Sequence, residues 1–335
     1  MKVAALVHFC VPYRMAGSET MLHTLLVALQ RAGHEAVVAT THTPHAPQHW
    51  RWEGVRGLSR PGPREAAAAV RAEDPDVVIT QHQNTGLGID VARTIGAKSV
   101  FLMHNDFTLN RGLLAKQPDL VVFNTAWIAE KYAARVARSV VVHPPVWPHQ
   151  HATTPGDAVT LVNLNEDKGA PLLYELARRM PDVRFLGVMG AHGRQIAMPR
   201  PTVEIVPQTT DMRRDVWSRT RVLLMPSRYE SYGMAAVEAL ASGIPVIANP
   251  TPGLRESLGP AGLFVGRDDV AGWEQTLRRL LDDPAVWGQA SSRARARSAE
   301  LDPAPELERW VTAVEEVVRG GSARDDDGSR IPAGA

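Results

Sequence analysis

The sequence predicts an α/β protein built from two doubly wound parallel-sheet domains in tandem. Short β-rich apolar runs alternate with helical segments from end to end, which is the pattern of parallel strands joined by helical crossovers. A stretch rich in proline and polar residues, "PPVWPHQHATTPGD" (144–157), interrupts the alternation near the middle, and the alternation then restarts. The length of 335 residues suits two domains of ~100–200 residues, and 44% apolar content can fill two cores.

In the first half, "KVAALVH" (2–8) reads as a buried strand. A helix follows over 18–33, with Ser18 as N-cap and Gly33 as its stop. "EAVVATT" is the next strand, "PREAAAAVRAE" a helix and "DVVITQ" a strand. "SVFLMH" (99–104) and "LVVFN" (120–124) are further strands, "AWIAEKYAARVARS" a helix, and "VVVHPPV" closes the half. In the second half "AVTLVNL", "VRFLGVM", "TVEIV", "RVLLMP" and "PVIAN" are strands. "APLLYELARRM", "DMRRDVWSRT", "GMAAVEALASG", "VAGWEQTLRRLLDD", "PAVWGQASSRARARS" and "PELERWVTAVEEVVRG" are helices. The expected organisation is a first Rossmann-like domain over 1–147, a second over 148–303, a C-terminal helix over 304–319 and a disordered tail over 320–335.

The formal net charge of +1 sets up no field for nucleic acid, which is disfavoured as a partner. A single cysteine, Cys10, forbids an intrachain disulfide and fits a reducing compartment. The apolar run at the N-terminus is too short for a leader, and no run reaches the ~20 residues that span a bilayer. A cytoplasmic location is expected, with any membrane contact peripheral.

In doubly wound sheets, ligands sit at the carboxyl ends of the strands, so chemistry should lie in the strand-to-helix loops. Three loops stand out. "RMAGSET" (14–20) places Gly17 and Ser18 at a helix start, where free amides suit an anion, although an ordinary cap followed by Glu19 reads equally well. "NLNEDKGAP" (163–171) puts Lys168 beside Gly169, where the ammonium either meets a phosphate or is plainly solvated. "PSRYESYGMAAVEAL" (226–240) is the most specific. Glu230 precedes a turn at Ser231, Tyr232 and Gly233, and Glu238 follows inside the helix, with seven residues between the two glutamates. Amides at the helix start suit a diphosphate, and a carboxylate about one and a half turns further in can accept two ribose hydroxyls. The helix around Glu238 is small and apolar, so that carboxylate needs a partner. In "MHND", His104 ends a strand of the first domain and points into the proposed cleft.

These residues resemble glycosyltransferase family 4, retaining enzymes of the GT-B fold, over residues 1 to about 319. The resemblance is strongest in "LLMPSRYESYGMAAVEALASGIPVIANPTPGLRESLGPAGLFV", with Pro-Ser-x-x-Glu, a glycine-centred turn, the second glutamate and Gly-x-Pro-Val. "AGSETMLHTLLVALQRAGHEA" and "KGAPLLYELARRMPDVRFLGVMG" resemble the family's two domain openings. The resemblance implies two Rossmann-like domains facing a cleft, with the last helix crossing back to the first domain. It implies sugar transfer from a nucleotide-diphosphate sugar, of UDP or GDP type, with retained anomeric configuration and neither metal nor other cofactor. By position, Glu230 would face the sugar, amides of Tyr232, Gly233 and Met234, with Ser231 beside them, would hold the diphosphate, and Glu238 would hold the ribose. Lys168 would neutralise the leaving diphosphate, Gly17 and Ser18 would line the cleft opposite, and His104 would lie near the reacting carbon. Two departures stand out. Asn163 occupies the position of the family's usual arginine, which shifts leaving-group charge to Lys168, backbone amides or Arg228, and "HPPV" (143–146) replaces Pro-Asn-Gly. The acceptor, a small molecule, glycan or lipid, is left open. A nucleotide-sugar epimerase or hydrolase on the same frame, or a non-catalytic nucleotide-sugar binder, are the alternatives.

Weaker signals are read as structural. "GVMGAHG" (187–193) lacks the helix a dinucleotide loop should open. "DPD" (74–76) precedes a strand rather than following one, and "DDD" (325–327) lies in the tail. The histidines of "HTPHAPQHW" (42–50) are broken up by prolines, so no metal site is assigned. Lys131, Arg135 and Arg138, beside Trp127 and Ile128, read as a solvated helix face, with a lipid-surface contact as the sharper alternative.

Overall fold

A strand that is apolar at every position is stable only inside a sheet covered on both faces. Lys2–Val7 is such a strand from Val3 onward, where every residue is apolar and buried. In the computed structural model, which describes residues 1–41, 43, 46–191 and 193–322, it lies at the centre of the first of two units. The first unit comprises Met1–His143 and the C-terminal helix, and the second is Pro144–Pro303. The predicted tail beyond residue 322, with "DDD", lies outside the described residues, as do His42, His45 and His192.

Among the described residues, the first unit has an eight-stranded sheet. Its strands are β1 (Lys2–Val7), β2 (Glu35–Thr40), β3 (His49–Trp52), β4 (Val55–Ser59), β5 (Val77–Gln81), β6 (Lys98–Met103), β7 (Leu120–Phe123) and β8 (Ser139–Val141). Their order is β3-β4-β2-β1-β5-β6-β7-β8, parallel throughout except for β3 against β4. The crossover helices are α1 (Gly17–Arg31), α2 (Pro63–Ala72), α3 (Thr85–Ile95), α4 (Thr108–Leu113) and α5 (Ala126–Tyr132).

Three features differ from the sequence reading. The β3–β4 hairpin was not anticipated, and its first strand takes up His49 and Trp50 from the end of the histidine-containing stretch. Its two-residue turn is Glu53–Gly54, with φ of 45° and 88°, the doubly left-handed geometry that matches strand twist. Helix α3 was not anticipated because Gly86 and Gly88 blur its pattern. Gly88 is needed there, since a Cβ would sit 2.8 Å from Thr80 Cγ2 on β5. The helix expected over 126–139 ends at Tyr132, and after a 3-10 turn the β-branched run at Ser139–Val141 pairs with β7 as edge strand β8.

In the second unit the described residues form a six-stranded, all-parallel sheet. Its helix α6 (Pro148–His151) precedes the strands β9 (Ala158–Val162), β10 (Phe185–Val188), β11 (Val203–Val206), β12 (Thr220–Met225), β13 (Val246–Ala248) and β14 (Leu263–Phe264). The order is β11-β10-β9-β12-β13-β14. The remaining helices are α7 (Ala170–Arg179), α8 (Met212–Asp215), α9 (Met234–Ala241), α10 (Pro252–Leu258), α11 (Val270–Asp282) and α12 (Pro284–Glu300). The expected helix over 211–220 reduces to α8 and a 3-10 turn, because Thr220 already belongs to β12 and bonds β9 through Thr160 Oγ1 at 2.8 Å. Trp217 and Trp273 are fully buried in this core. The stretch read as a link is docked on α9, where Ser242 Oγ donates to His151 O at 2.9 Å and accepts from Thr153 N at 3.0 Å.

The chain then enters α13 (Ala304–Ser322), which packs in the first unit. Its Trp310 is fully buried and donates its indole N–H to Leu25 O on α1 at 3.0 Å. Strand order reverses between β1 and β5 in the first sheet, and between β9 and β12 in the second. These are the points where open parallel sheets bind ligands.

Candidate functional site

The loops leaving β9 and β12 are adjacent because those strands pair directly at the switch point. The β9 loop carries Asn163 and Lys168 and opens α7, while the β12 loop carries Arg228 and Glu230 and opens α9. Each helix begins on a glycine in the left-handed region: Gly169 at φ 98° and Gly233 at φ 93°. A Cβ at Gly169 would stand 2.3 Å from Pro226 Cγ, so only glycine lets the two loops close on each other.

Across that junction Lys168 Nζ forms a hydrogen-bonded ion pair with Glu230 Oε1, which also accepts from Ser227 Oγ at 2.9 Å. The structure thus brings Lys168, Glu230 and the glycine-led starts of α7 and α9 into one constellation. Arg267, which the sequence did not single out, fastens it. Its guanidinium donates to Glu166 O at 2.6 Å, to Asp167 O at 2.9 Å and to Pro226 O, tying both loops together. Burial, and then the neighbouring Arg228 charge, lower its pKa. No spacing rule marks Arg267, since its partners are backbone carbonyls 41 to 101 residues earlier.

Other expected site residues take different places. Asn163, with φ 71°, turns its side chain toward the loop after β10, where Gln195 Nε2 donates to its Oδ1 at 2.8 Å. Arg228 is exposed and lies among Glu166 (3.5 Å) and Asp167 (3.8 Å). Tyr232 is buried against Val146 and Val237, with Met234 packed on the same cluster. Ser231 contributes its carbonyl to a close contact with Gly253, where a Cβ would meet it at 2.2 Å.

Glu238, on α9, sits apart from the ion pair in a drier setting. Its side chain keeps only 14% of its surface exposed, and Oε2 is enclosed with no hydrogen-bond partner. His151 Nδ1, also without a partner, lies 3.8 Å from that oxygen. Burial pushes the Glu238 carboxyl up to about 7, and the Trp217 indole beside it only partly offsets this. The indole N–H is close enough to exert that pull without meeting hydrogen-bond geometry. Burial, then His149, pushes His151 down to about 4, so its ring is neutral at pH 7.

In the first unit, His104 follows the end of β6 and is buried, with Nε2 2.8 Å from Gln81 Oε1. An amide oxygen only accepts, so Nε2 carries the proton. Burial and the nearby His82 ring, 5.1 Å away, hold its pKa well below the usual imidazole value. Gly17 is the first residue of α1, as expected at a helix start, but Ala16 rather than Ser18 occupies the N-cap. Ser18 Oγ instead donates to Glu19 Oε2 at 2.8 Å. The weaker signals have structural partners: Asp76 Oδ2 accepts the Lys2 amide at 2.7 Å, Lys131 bonds Asp106 at 3.2 Å, and Arg138 bonds Glu316 O at 3.3 Å. Among the described residues no cluster of metal-ligating side chains forms and no helix is long and apolar enough to cross a membrane.

Two doubly wound units, one carrying a cation–carboxylate pair between glycine-led helix starts, define an α/β protein of two Rossmann-like units. Comparison narrows the class. The profile described as Glycosyltransferase Family 4 matches residues 15–150, and that of Glycosyl transferases group 1 matches residues 161–283. The chain belongs to these glycosyltransferases, of GT-B architecture. It is 30% identical over 211 residues to a D-inositol 3-phosphate glycosyltransferase of Mycobacterium sp. (strain KMS), covering 52% of this chain and 48% of that protein. A Mycolicibacterium smegmatis protein of the same name is 30% identical over 146 residues, 39% of this chain and 34% of that protein. The chain thus spans between a third and a half of these relatives. A Catenulispora acidiphila relative, D-inositol 3-phosphate glycosyltransferase 1, aligns over 86% of this chain and 83% of its own length at 26% identity. Sucrose-phosphate synthase from Thermosynechococcus elongatus superposes with a TM-score of 0.75 at 17% identity, covering 97% of this chain and all of that one. Anabaena HepE, in a complex with UDP-glucose, superposes with a TM-score of 0.72 at 15% identity, over 96% of this chain and all of that one.

Proposed function

We propose that the chain is a retaining, metal-independent glycosyltransferase that moves a sugar from a UDP- or GDP-type nucleotide sugar to a hydroxyl acceptor. The observation that carries this reading is the Lys168–Glu230 pair bridging the α7 and α9 helix starts at the switch point of the second sheet. A diphosphate is an anion with many acceptor oxygens, and two helix starts plus an ammonium are donors with positive potential. Lys168 would exchange Glu230 for the diphosphate as the donor binds, leaving the Glu230 carboxylate for the sugar hydroxyls. Glu238 would take the ribose hydroxyls on Oε1, the carboxyl oxygen that is not enclosed.

In the chemical step the bond from the anomeric carbon to the diphosphate oxygen breaks and the acceptor oxygen bonds the same face of that carbon. The acceptor proton passes to the departing diphosphate oxygen, so charge builds where Lys168 and the amides stand. With Asn163 engaged by Gln195, no arginine from that position shares the load. His104 is neutral, with its Nε2 proton held by Gln81, and only the family resemblance assigns it a role near the reacting carbon. An inositol phosphate, on which the relatives are named to act, is the first acceptor to try.

The test is incubation with UDP-, GDP-, ADP- and TDP-sugars in chelator, with and without inositol phosphate or extract acceptors, reading released nucleotide, product mass and anomeric configuration. Acceptor-dependent release with retained configuration is expected. Release unaffected by acceptor would indicate a hydrolase, and binding without turnover across the panel would sink the enzyme reading.

A further inference from the structure

Three polar atoms from three separate elements meet without partners inside the second unit. Glu238 Oε2 comes from α9, His151 Nδ1 from the end of α6 and Trp217 Nε1 from the turn before β12, and all three are enclosed. Buried polar atoms are nearly always hydrogen-bonded, so three orphans converging on one carboxyl call for a common cause. Oε1 of the same carboxyl is not among the enclosed, unpartnered atoms, and the side chain keeps 14% of its surface exposed. The carboxyl therefore has one enclosed oxygen facing the His151 ring, the Trp217 indole beside the group, and a second oxygen left for a ligand.

We propose that His151 and Trp217 are positioning residues that fix the Glu238 carboxyl for a nucleotide's ribose and make the site select ribose over 2′-deoxyribose. This rests on the reading of Glu238 as the ribose-binding group. When hydroxyls donate to the second oxygen, negative charge is stabilised on the carboxyl. The ring N–H of His151 needs to shift less than 1 Å from its 3.8 Å separation to close on Oε2. The Trp217 indole, fully buried in the core, acts on the same carboxyl. A carboxylate locked in this way cannot swing to satisfy itself elsewhere. A deoxyribose then leaves its second oxygen short of a donor in a dry site, and such sites reject analogues that lack the hydroxyl. The charge of His149 also acts on His151.

The test is calorimetric titration of UDP, GDP and their 2′-deoxy forms into wild type, Glu238→Ala, His151→Ala, His151→Gln and Trp217→Phe, using whichever base binds tighter. Wild type should prefer the ribonucleotide by at least about tenfold. His151→Ala and Trp217→Phe should each cut that preference severalfold while Tm and the affinity for inorganic pyrophosphate hold. His151→Gln, which keeps an N–H donor, should restore part of the preference, an effect loosened packing alone would not give. An unchanged preference in both His151→Ala and Trp217→Phe, with Glu238→Ala abolishing it, overturns the positioning role alone. A preference unchanged in Glu238→Ala, or no nucleotide bound by wild type, overturns the ribose reading as well.

Discussion

Glu238 shows how one side chain's surroundings set its chemistry. Its folded value of about 7 lies above the ordinary 4.5, so the folded chain holds an extra proton between those values. The stability it contributes is complete below about pH 4.5 and is lost as pH rises through about 7. Denaturant melts should show wild type losing more stability than Glu238→Gln between about pH 5 and pH 8. Binding carries the opposite sign, because ribose hydroxyls donate to the ionised form. Affinity for a nucleotide sugar, whose diphosphate does not titrate here, should rise with pH through about 7 in wild type and stay flat in Glu238→Gln. Glu238→Ala should weaken nucleotide binding by ~1–3 kcal/mol, the loss of charge-assisted hydrogen bonds. Lys168→Ala should instead lower the single-turnover rate by ~100-fold or more, because its charge meets the developing diphosphate. An unchanged rate would remove Lys168 from the mechanism.

At the scale of elements, the site is two strand-to-helix loops locked at their glycines and by Arg267. Gly233→Ala would place a methyl 2.7 Å from Leu254 Cδ2 at φ 93°. A destabilisation of ~1–3 kcal/mol is expected in denaturant titration, with nucleotide affinity falling beyond it. Arg267→Ala should lower both Tm and the transfer rate, since the β9 and β12 loops lose their shared donor. These elements were unequally legible. The 226–240 and 163–171 loops could be read because their chemistry is local, with residues at fixed spacing across one turn. Arg267, His151 and Trp217 could not, because folding alone brings them to carbonyls or a carboxyl far away in the chain. Helix α3 was hidden by two glycines, of which Gly88 serves a close strand contact, and the β3–β4 hairpin by a Glu-Gly turn, a weaker signal than Asn-Gly. Ser18 misled because a serine near a helix start suggests a cap, while the backbone places Ala16 there.

At the scale of the molecule, alternation of strands and helices revealed two parallel sheets, since both faces of each strand must be covered and the composition shows it. The C-terminal helix was legible from its amphipathic pattern, whereas its anchor was not. Trp310 is fully buried and bonded to Leu25 O. Trp310→Ala should cost ~3–5 kcal/mol, seen by calorimetry as a lowered transition for the first unit. The central claim concerns where in the whole chain the donor sits. Hydrogen–deuterium exchange across all peptides, on adding a nucleotide sugar without metal, tests it most directly. Protection should centre on residues 165–173 and 230–238, the two helix starts and their loops. Binding that leaves those segments unprotected and protects others would contradict the account.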